Sequence, residues 1–274
     1  MTTRLGWSGL LAAVVAGVSA FSGAANAETV SATLVAEDNA RGTVPASGCV
    51  LVNNVWDRKS APEGYVQSVF LRKRGNDMLP GWLGNAPGQR TIVLGMPEII
   101  CGDKPWDTPL KLRPEFPFRA GEKRLHASFD IDLAATGRYN MAFSLWAVAK
   151  LPAVKQNITH EIMIWNVDSG MTPSGEKIGM LETKGTTFDI YLEKNQGMVT
   201  GPDPFTWTLV SFVARTKLLK GSLDFGVFVD ELLKRKILAR NEYLTSLELG
   251  DEVAEGSGEV VVKKLDVGTS LQVD

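Results

Sequence analysis

The sequence predicts an all-β chain, a sandwich or barrel with one packed helix. Three observations lead there. Short strand-like segments recur, separated by Gly, Pro, Asn and Asp. Within several of them apolar and polar residues alternate, as in HEIMIW (160–165), where Ile162 and Ile164 share one parity and Glu161, Met163 and Trp165 the other. Only one segment, 222–238, has apolar residues at near-helical spacing.

Taken in order, the chain opens with a leader. Residues 1–27 carry Arg4, an apolar run from Leu10 to Phe21 and a small-x-small ending at Ala25-Asn26-Ala27, the three-part layout of a secretory signal peptide. That run is short for a membrane span and contains Gly and Ser. The expected mature chain, 28–274, is a single exported domain, either periplasmic or released, with no membrane segment after processing. Its strand candidates are 49–56, 66–74, 91–100, 125–133, 139–148, 161–167, 186–193, 206–214, 243–249 and 259–267. Their regular spacing suits a sandwich or barrel better than βαβ units. The helix expected over 222–238 has Leu223, Val227, Phe228 and Leu232 on one side and Lys234 to Lys236 at its C-terminal end, where cations suit the helix dipole. It is expected to pack on the outside of a sheet.

The formal net charge of −2 points neither to nucleic acid nor to an anionic membrane. Cys49 and Cys101 leave two readings open, one disulfide or two core thiols; pairing is the expectation, since each lies in or directly after a strand candidate of an exported chain. His126 and His160 have no Cys or His neighbours at zinc spacing, and the chain has neither a Gly-rich phosphate loop nor a G-x-S-x-G turn. No metal or organic cofactor is expected. Chemistry, if present, belongs to carboxylates.

Two regions carry candidates. Glu161 sits on one wall with Met163 and Trp165. In LELGDEVAEGSGEVVV (247–262), Glu248 and Glu252 share a strand face and Asp251 takes the other; for any one of these acids, Glu255 included, a solvated charge at a strand end is the plainer reading. After the leader the chain keeps Trp56, Trp82, Trp106, Trp146, Trp165 and Trp207, several beside Asn, Ser or Glu. Indoles, amides and carboxylates along one sheet suit a face that stacks on sugar rings, although each Trp alone is more often packing.

NNVWD (53–57), MPEIICGDKPW (96–106), RYNMAFSLW (138–146), HEIMIW, TWTLVSFV (206–213) and LGDEVAEGSGEVVV (249–262) follow one another in an order that resembles glycoside hydrolase family 12, the endo-acting β-glucanases and xyloglucanases. The resemblance runs through most of the mature chain. It implies a β-jelly roll of two curved antiparallel sheets with a cleft across the concave one. It also implies hydrolysis of internal β-1,4-glucosidic bonds with retention, Glu161 being the nucleophile and Glu252 the general acid/base. In a retaining enzyme the two carboxyls lie about 5–5.5 Å apart. Asn54, Trp56, Ser144, Trp146, Met163 and Trp165 would contact the glucan, with xyloglucan favoured over mixed-linkage glucan and carboxymethylcellulose. A monomer is expected, and a non-catalytic glucan-binding module is the alternative. Ser144 stands where the family usually has an Asp bonded to the nucleophile, and its hydroxyl is expected to donate to Glu161. Phe188 replaces a frequent sugar-binding Trp, and Met96 a common Tyr. The segments 71–90 and 166–179 are expected as loops that set the cleft width.

Overall fold

A computed structural model describes residues 32–44, 47–89, 92–106, 113, 115–183, 185–199 and 205–271. The leader, 1–27, lies outside the described residues. The strands are β1 (Ala32–Val35), β2 (Arg41–Val44), β3 (Cys49–Val55), β4 (Val66–Arg74), β5 (Asp77–Ala86), β6 (Gly95–Gly102), β7 (Phe118–Arg119), β8 (Lys123–Val148), β9 (Ile158–Ser169), β10 (Glu176–Glu182), β11 (Thr187–Val199), β12 (Phe205–Ala214), β13 (Lys220–Asp224) and β14 (Tyr243–Leu271), with one helix, α1 (Phe225–Lys234), between β13 and β14.

β8 and β14 organise the rest. They hold 26 and 29 residues and pair antiparallel throughout, from Lys123 opposite Leu271 to Val148 opposite Tyr243. Around one half of this pair the strand order is β2-β3-β6-β14-β8-β9-β12-β11-β10; around the other it is β1-β4-β5-β14-β8-β13. All pairs are antiparallel except β9 with β12. The pair folds back on itself. Phe129 and Phe143 lie on the same strand, 14 positions apart and so about 46 Å apart if it were straight, yet their ring centroids are 5.2 Å apart. The crease is at Gly137 and Gly256, which face each other with φ of 91° and 101°. A Cβ on Gly137 would meet the Glu255 carbonyl at 2.2 Å, and one on Gly256 the Thr136 carbonyl at 2.1 Å. Only glycine combines this backbone with this approach. The sequence candidates 125–133 and 139–148 are therefore one strand, as are 243–249 and 259–267.

The core fills the space between the two halves. Met141, Phe143, Leu145 and Ala147 of β8, Ile162 and Ile164 of β9, Val210 and Phe212 of β12 and Leu247 and Leu249 of β14 all point into it. Their alternate neighbours line the opposite face of the nine-strand half. The helix is shorter than expected. Its first candidate residues continue as β13 along the β8 edge, and Asp224 caps the helix by accepting from the Gly226 amide at 2.9 Å. Phe225, Phe228 and Leu232 are buried in the core, with Phe228 edge-on to Phe188 and Phe212 at 5.0 Å each.

Two loop expectations are corrected. Of the segment 71–90, whose last residue lies outside the described residues, 71–86 form most of the β4–β5 hairpin, which turns at Gly75 and belongs to the six-strand half, away from the polar face. Within 166–179, the chain finishes β9, turns and enters β10 at the edge of the nine-strand half. Pro80, Gly81 and Gly84 suggest a loop by composition, but pairing with both β4 and β14 holds the segment extended.

Cys49 and Cys101 are bonded, their Cα atoms 4.4 Å apart, and join β3 to β6. The denatured, unreduced protein should therefore label at no thiol, and at two after reduction. Cys101→Ser should lower the unfolding free energy by about 2–4 kcal/mol. Labelling of both cysteines without reductant would contradict the pairing.

Candidate active site

Strand register assembles the polar face. Across β14, β8 and β9 one row runs Ser246, Trp146, Glu161, and the next Glu248, Ser144, Met163; Glu252 lies opposite Asn140. A cavity of about 700 Å³ opens here, lined among others by Asn54, Trp56, Met96, Lys104, Trp106, Trp146, Glu161, Trp207, Glu248 and Glu252.

Two carboxyls stand apart in this cavity. Glu161 Oε2 accepts from the Trp207 indole N–H at 3.0 Å. Glu252 Oε2 accepts from the Asn140 side-chain amide at 2.6 Å, and the Glu252 backbone N–H donates back to Asn140 Oδ1 at 3.2 Å. Burial, and after it the charge of Glu252, push the Glu161 carboxyl up to about 8. Burial also raises Glu252, opposed by its bond to Asn140 and by Lys104. Two carboxyls that feel each other in a desolvated site resist joint ionisation, so the pair holds a proton near neutral pH.

Beside them lies a buried ionic network. Lys104 Nζ contacts Glu98 at 2.7 and 3.0 Å and Glu248 at 2.9 Å. Glu248 also accepts from the Trp146 indole at 3.2 Å and the Ser246 hydroxyl at 3.0 Å, and Asn54 donates to Glu98 at 2.8 Å. Burial pushes Glu98 up to about 8 despite Lys104. The opposite charges and hydrogen bonds of both acids raise Lys104, against the effect of its own burial. The network thus keeps one ammonium charge fixed beside the carboxyl pair.

The pattern of residues along the chain has a counterpart in known proteins. The family model described as Glycosyl hydrolase family 12 matches residues 123–269, more than half of the chain. The chain belongs to glycosyl hydrolase family 12. It is thereby a glycosidase. Solved structures similar to it include a native family 12 xyloglucanase from Bacillus licheniformis, at TM-score 0.75 and 22% identity over 87% of this chain and 100% of that one. Endoglucanase cel12A from Rhodothermus marinus aligns at TM-score 0.69 and 19% identity, over 87% and 99% of the two chains. Endoglucanase 3 from Trichoderma harzianum aligns at 0.70 and 18%, over 90% and 100%. At these identities the likeness carries the jelly-roll fold. None of the curated protein sequences compared matches the chain.

Within this family 12 fold, Glu161, Glu252, Asn54, Trp56 and Trp146 line the cavity, Trp56 being half exposed at its rim. Met163, Trp165 and Ser144 do not. Met163 and Trp165 are buried in a small apolar layer with Ala142 and Leu209. The Ser144 hydroxyl is buried and meets no partner, so the expected bond to Glu161 is not formed. Its position opposite Met163 leaves it one row from Glu161. Phe188 is a core residue under α1 and takes no part in a sugar-binding wall. Met96, by contrast, lines the cavity. Four acids considered within 247–262 are not freely solvated charges: Glu248 and Asp251 are buried, and Glu252 and Glu255 half-buried, Glu255 beside Arg138 at 3.4 Å.

Sequence reasoning missed Glu98, Lys104 and Trp207 as site residues. Glu98 has a signal in hindsight, a carboxylate within the apolar run of β6. Trp207 shares parity with Leu209, away from the core residues Val210 and Phe212. Lys104 follows a strand end and carries no local signal.

The buried acids make stability depend on pH in a definite direction. Folding raises Glu98 and Glu161 from 4.5 to about 8, and Asp251 from 3.8 to about 7. Between those values the folded chain binds more protons than the unfolded one, so stability falls as pH rises. Below about 4 the trend reverses, because Asp189, lowered by Arg215, and Asp38, lowered by Arg58, lose their partners on protonation. Thermal unfolding from pH 4.5 to 8.5 should give the highest Tm at the acid end of this range and a loss of roughly 5 °C or more by pH 8. Asp251→Asn and Glu161→Gln should each flatten the slope. A Tm that climbs toward pH 8 would contradict the burial of these groups.

Proposed function

We propose that the chain is an exported, monomeric, retaining endo-β-1,4-glucanase whose preferred substrate is xyloglucan. Glu161 acts as the nucleophile and Glu252 as the general acid/base. The observation that carries this reading is the pair itself: Glu161 and Glu252 in one cavity, the second raising the first, each held by a neutral N–H donor. Export rests on the leader layout of 1–27, to the periplasm or beyond. The xyloglucan preference rests on the resemblance in sequence and on the xyloglucanases among the similar structures.

In the first step Glu252 protonates the glycosidic oxygen while Glu161 attacks the anomeric carbon from the opposite face. The C–O bond to the leaving glucan breaks, and an ester to Glu161 forms. In the second step Glu252, now ionised, takes a proton from water, which attacks the same carbon and releases Glu161. The starting state needs the proton on Glu252, whereas in the empty cavity Glu161 is itself pushed up to about 8. A bound sugar reverses this: its 2-hydroxyl donates to Glu161 and favours the carboxylate, and the glycosidic oxygen accepts from Glu252 and favours the acid. The raised Glu161 is also the observation that favours the reversed assignment, which the following test separates.

With an aryl cello-oligosaccharide and azide, Glu252→Ala should lose activity on polysaccharide but keep its first step, since a good leaving group needs no acid. Azide then restores turnover and gives the β-glycosyl azide. Glu161→Ala should give only the α-azide. The anomeric configuration is read by NMR, and the opposite pairing of mutants and anomers reverses the roles. Near wild-type activity in both variants would remove the two residues from the mechanism. A panel of xyloglucan, mixed-linkage glucan and carboxymethylcellulose, with product analysis, should show the highest kcat/KM on xyloglucan. A clear preference for either of the others would overturn that part of the reading.

A further inference from the structure

The family's usual carboxylate neighbour of the nucleophile is absent here, and Ser144 in its place does not reach Glu161. Among the described residues, the side chain that donates to Glu161 is Trp207, at 3.0 Å. Trp207 lies on β12 two residues before Leu209, which pairs with Glu161 on the parallel strand β9. The two side chains are thus diagonal neighbours on one face.

The indole is held on three sides. Trp106 and Trp146 meet it edge-on at 5.4 and 5.8 Å, and Phe205 lies at 6.1 Å. Against it runs Gly197 of β11, where the β11–β12 register slips on both sides of Gln196. A Cβ on Gly197 would fall 1.8 Å from the ring, and its φ is 57°. Bulges of this kind re-aim side chains beside active sites. The chain therefore spends a register slip and a left-handed glycine on room for one indole.

We propose that Trp207 is a positioning residue for the nucleophile, its indole N–H holding Oε2 of Glu161 so that the other oxygen faces the anomeric carbon. This rests on the assignment of Glu161 made above. An N–H has no proton to lose in the working range and brings no negative charge, so it favours the ionised carboxylate without adding like charge. The charged groups facing Glu161 are Glu252 and Glu248 from β14 and Lys104, itself tied to Glu98. Glu252 and Glu248 raise Glu161, whereas Trp207 and Lys104 lower it.

The test isolates the attack of Glu161. A 2,4-dinitrophenyl 2-deoxy-2-fluoro-β-cellobioside loses dinitrophenolate with its electron pair as a Glu161 oxygen bonds to C1, and needs no acid. The labelled residue is mapped by mass spectrometry, and the labelling rate is followed against pH. In Trp207→Phe the ring stays and the N–H goes. Its acidic limb should move up by about one pH unit, and its plateau rate should fall about tenfold, as for loss of a hydrogen bond to a charged group. Gly197→Ala, which displaces the indole and changes no polar group, should shift the limb the same way, and it carries the test should Trp207→Phe not fold. An unmoved limb in the folded variants overturns the proposal, even with a lowered plateau, since the ring would then pack without acting on Glu161. Wild-type labelling at a residue other than Glu161 overturns the nucleophile assignment instead.

Discussion

The site depends on one constraint, the continuous pairing of β8 with β14 across the crease at Gly137 and Gly256. Because the strands bend and stay paired, with register shifts at Leu244/Ser246, Val253/Glu255 and Val262/Lys264, their far halves turn over and cover the core, while their near halves spread the polar face. Glu248 and Glu252 come from one strand of this pair, and Asn140, Ser144 and Trp146 from the other. A one-residue slip would exchange the faces, sending Glu252 into the core and Asp251 into the cavity. The buried residues on the core side of both strands make such a slip costly, so the packing of Phe143, Leu145, Leu247 and Leu249 fixes the chemistry on the other face.

The second feature is an excess of carboxyl groups over cations. Glu98, Glu161, Glu248 and Glu252 surround the single ammonium of Lys104 among the residues discussed. Desolvation raises Glu98, Glu161 and Glu252 and so opposes their joint ionisation. Lys104 is committed to Glu98 and Glu248 by contacts under 3.1 Å, so it lowers the Glu161–Glu252 pair only through space. The pair is left to share a proton, the starting condition for acid–base work by two like groups. Neutral donors, Trp207 on one side and Asn140 on the other, give each member its own environment.

Much of the fold was legible because alternation is local. The strands around 66–74, 161–167 and 206–214 follow from parity and turn residues alone. What was missed depends on tertiary contact. Ala134 to Gly137 read as a break, and only the facing Gly256 shows that it is a crease within one strand. The hairpin of 71–86 was hidden by Pro80 and two glycines, whose cost is offset by pairing on both sides. At the site, Glu161 and Glu252 were legible through motif order, and Glu248 through parity with Glu252. Lys104 was not, since a lysine beyond the end of β6 gains its role only from Glu98 on that strand and Glu248 on β14. Ser144 shows the reverse error: the resemblance implied a bond to Glu161 that the register does not deliver.

A glutamate beside Met163 and Trp165 on one strand face is explained by what those two residues do behind the cavity. They do not touch its lumen. With Ala142 and Leu209 they form an apolar band next to Glu161, and this band contains three buried polar atoms without partners, Ser144 Oγ, Ser211 Oγ and Trp165 Nε1. None of the three is aimed at Glu161 as a donor, so the band removes water from the carboxyl without replacing its hydrogen bonds. Desolvation is accordingly the largest influence on Glu161, ahead of every neighbouring charge. A polar surface strand would leave that glutamate an ordinary carboxylate near 4.5. Met and Trp at alternate positions instead keep it in a state whose charge depends on Glu252, on the hydrogen bond from Trp207 and on what enters the cavity.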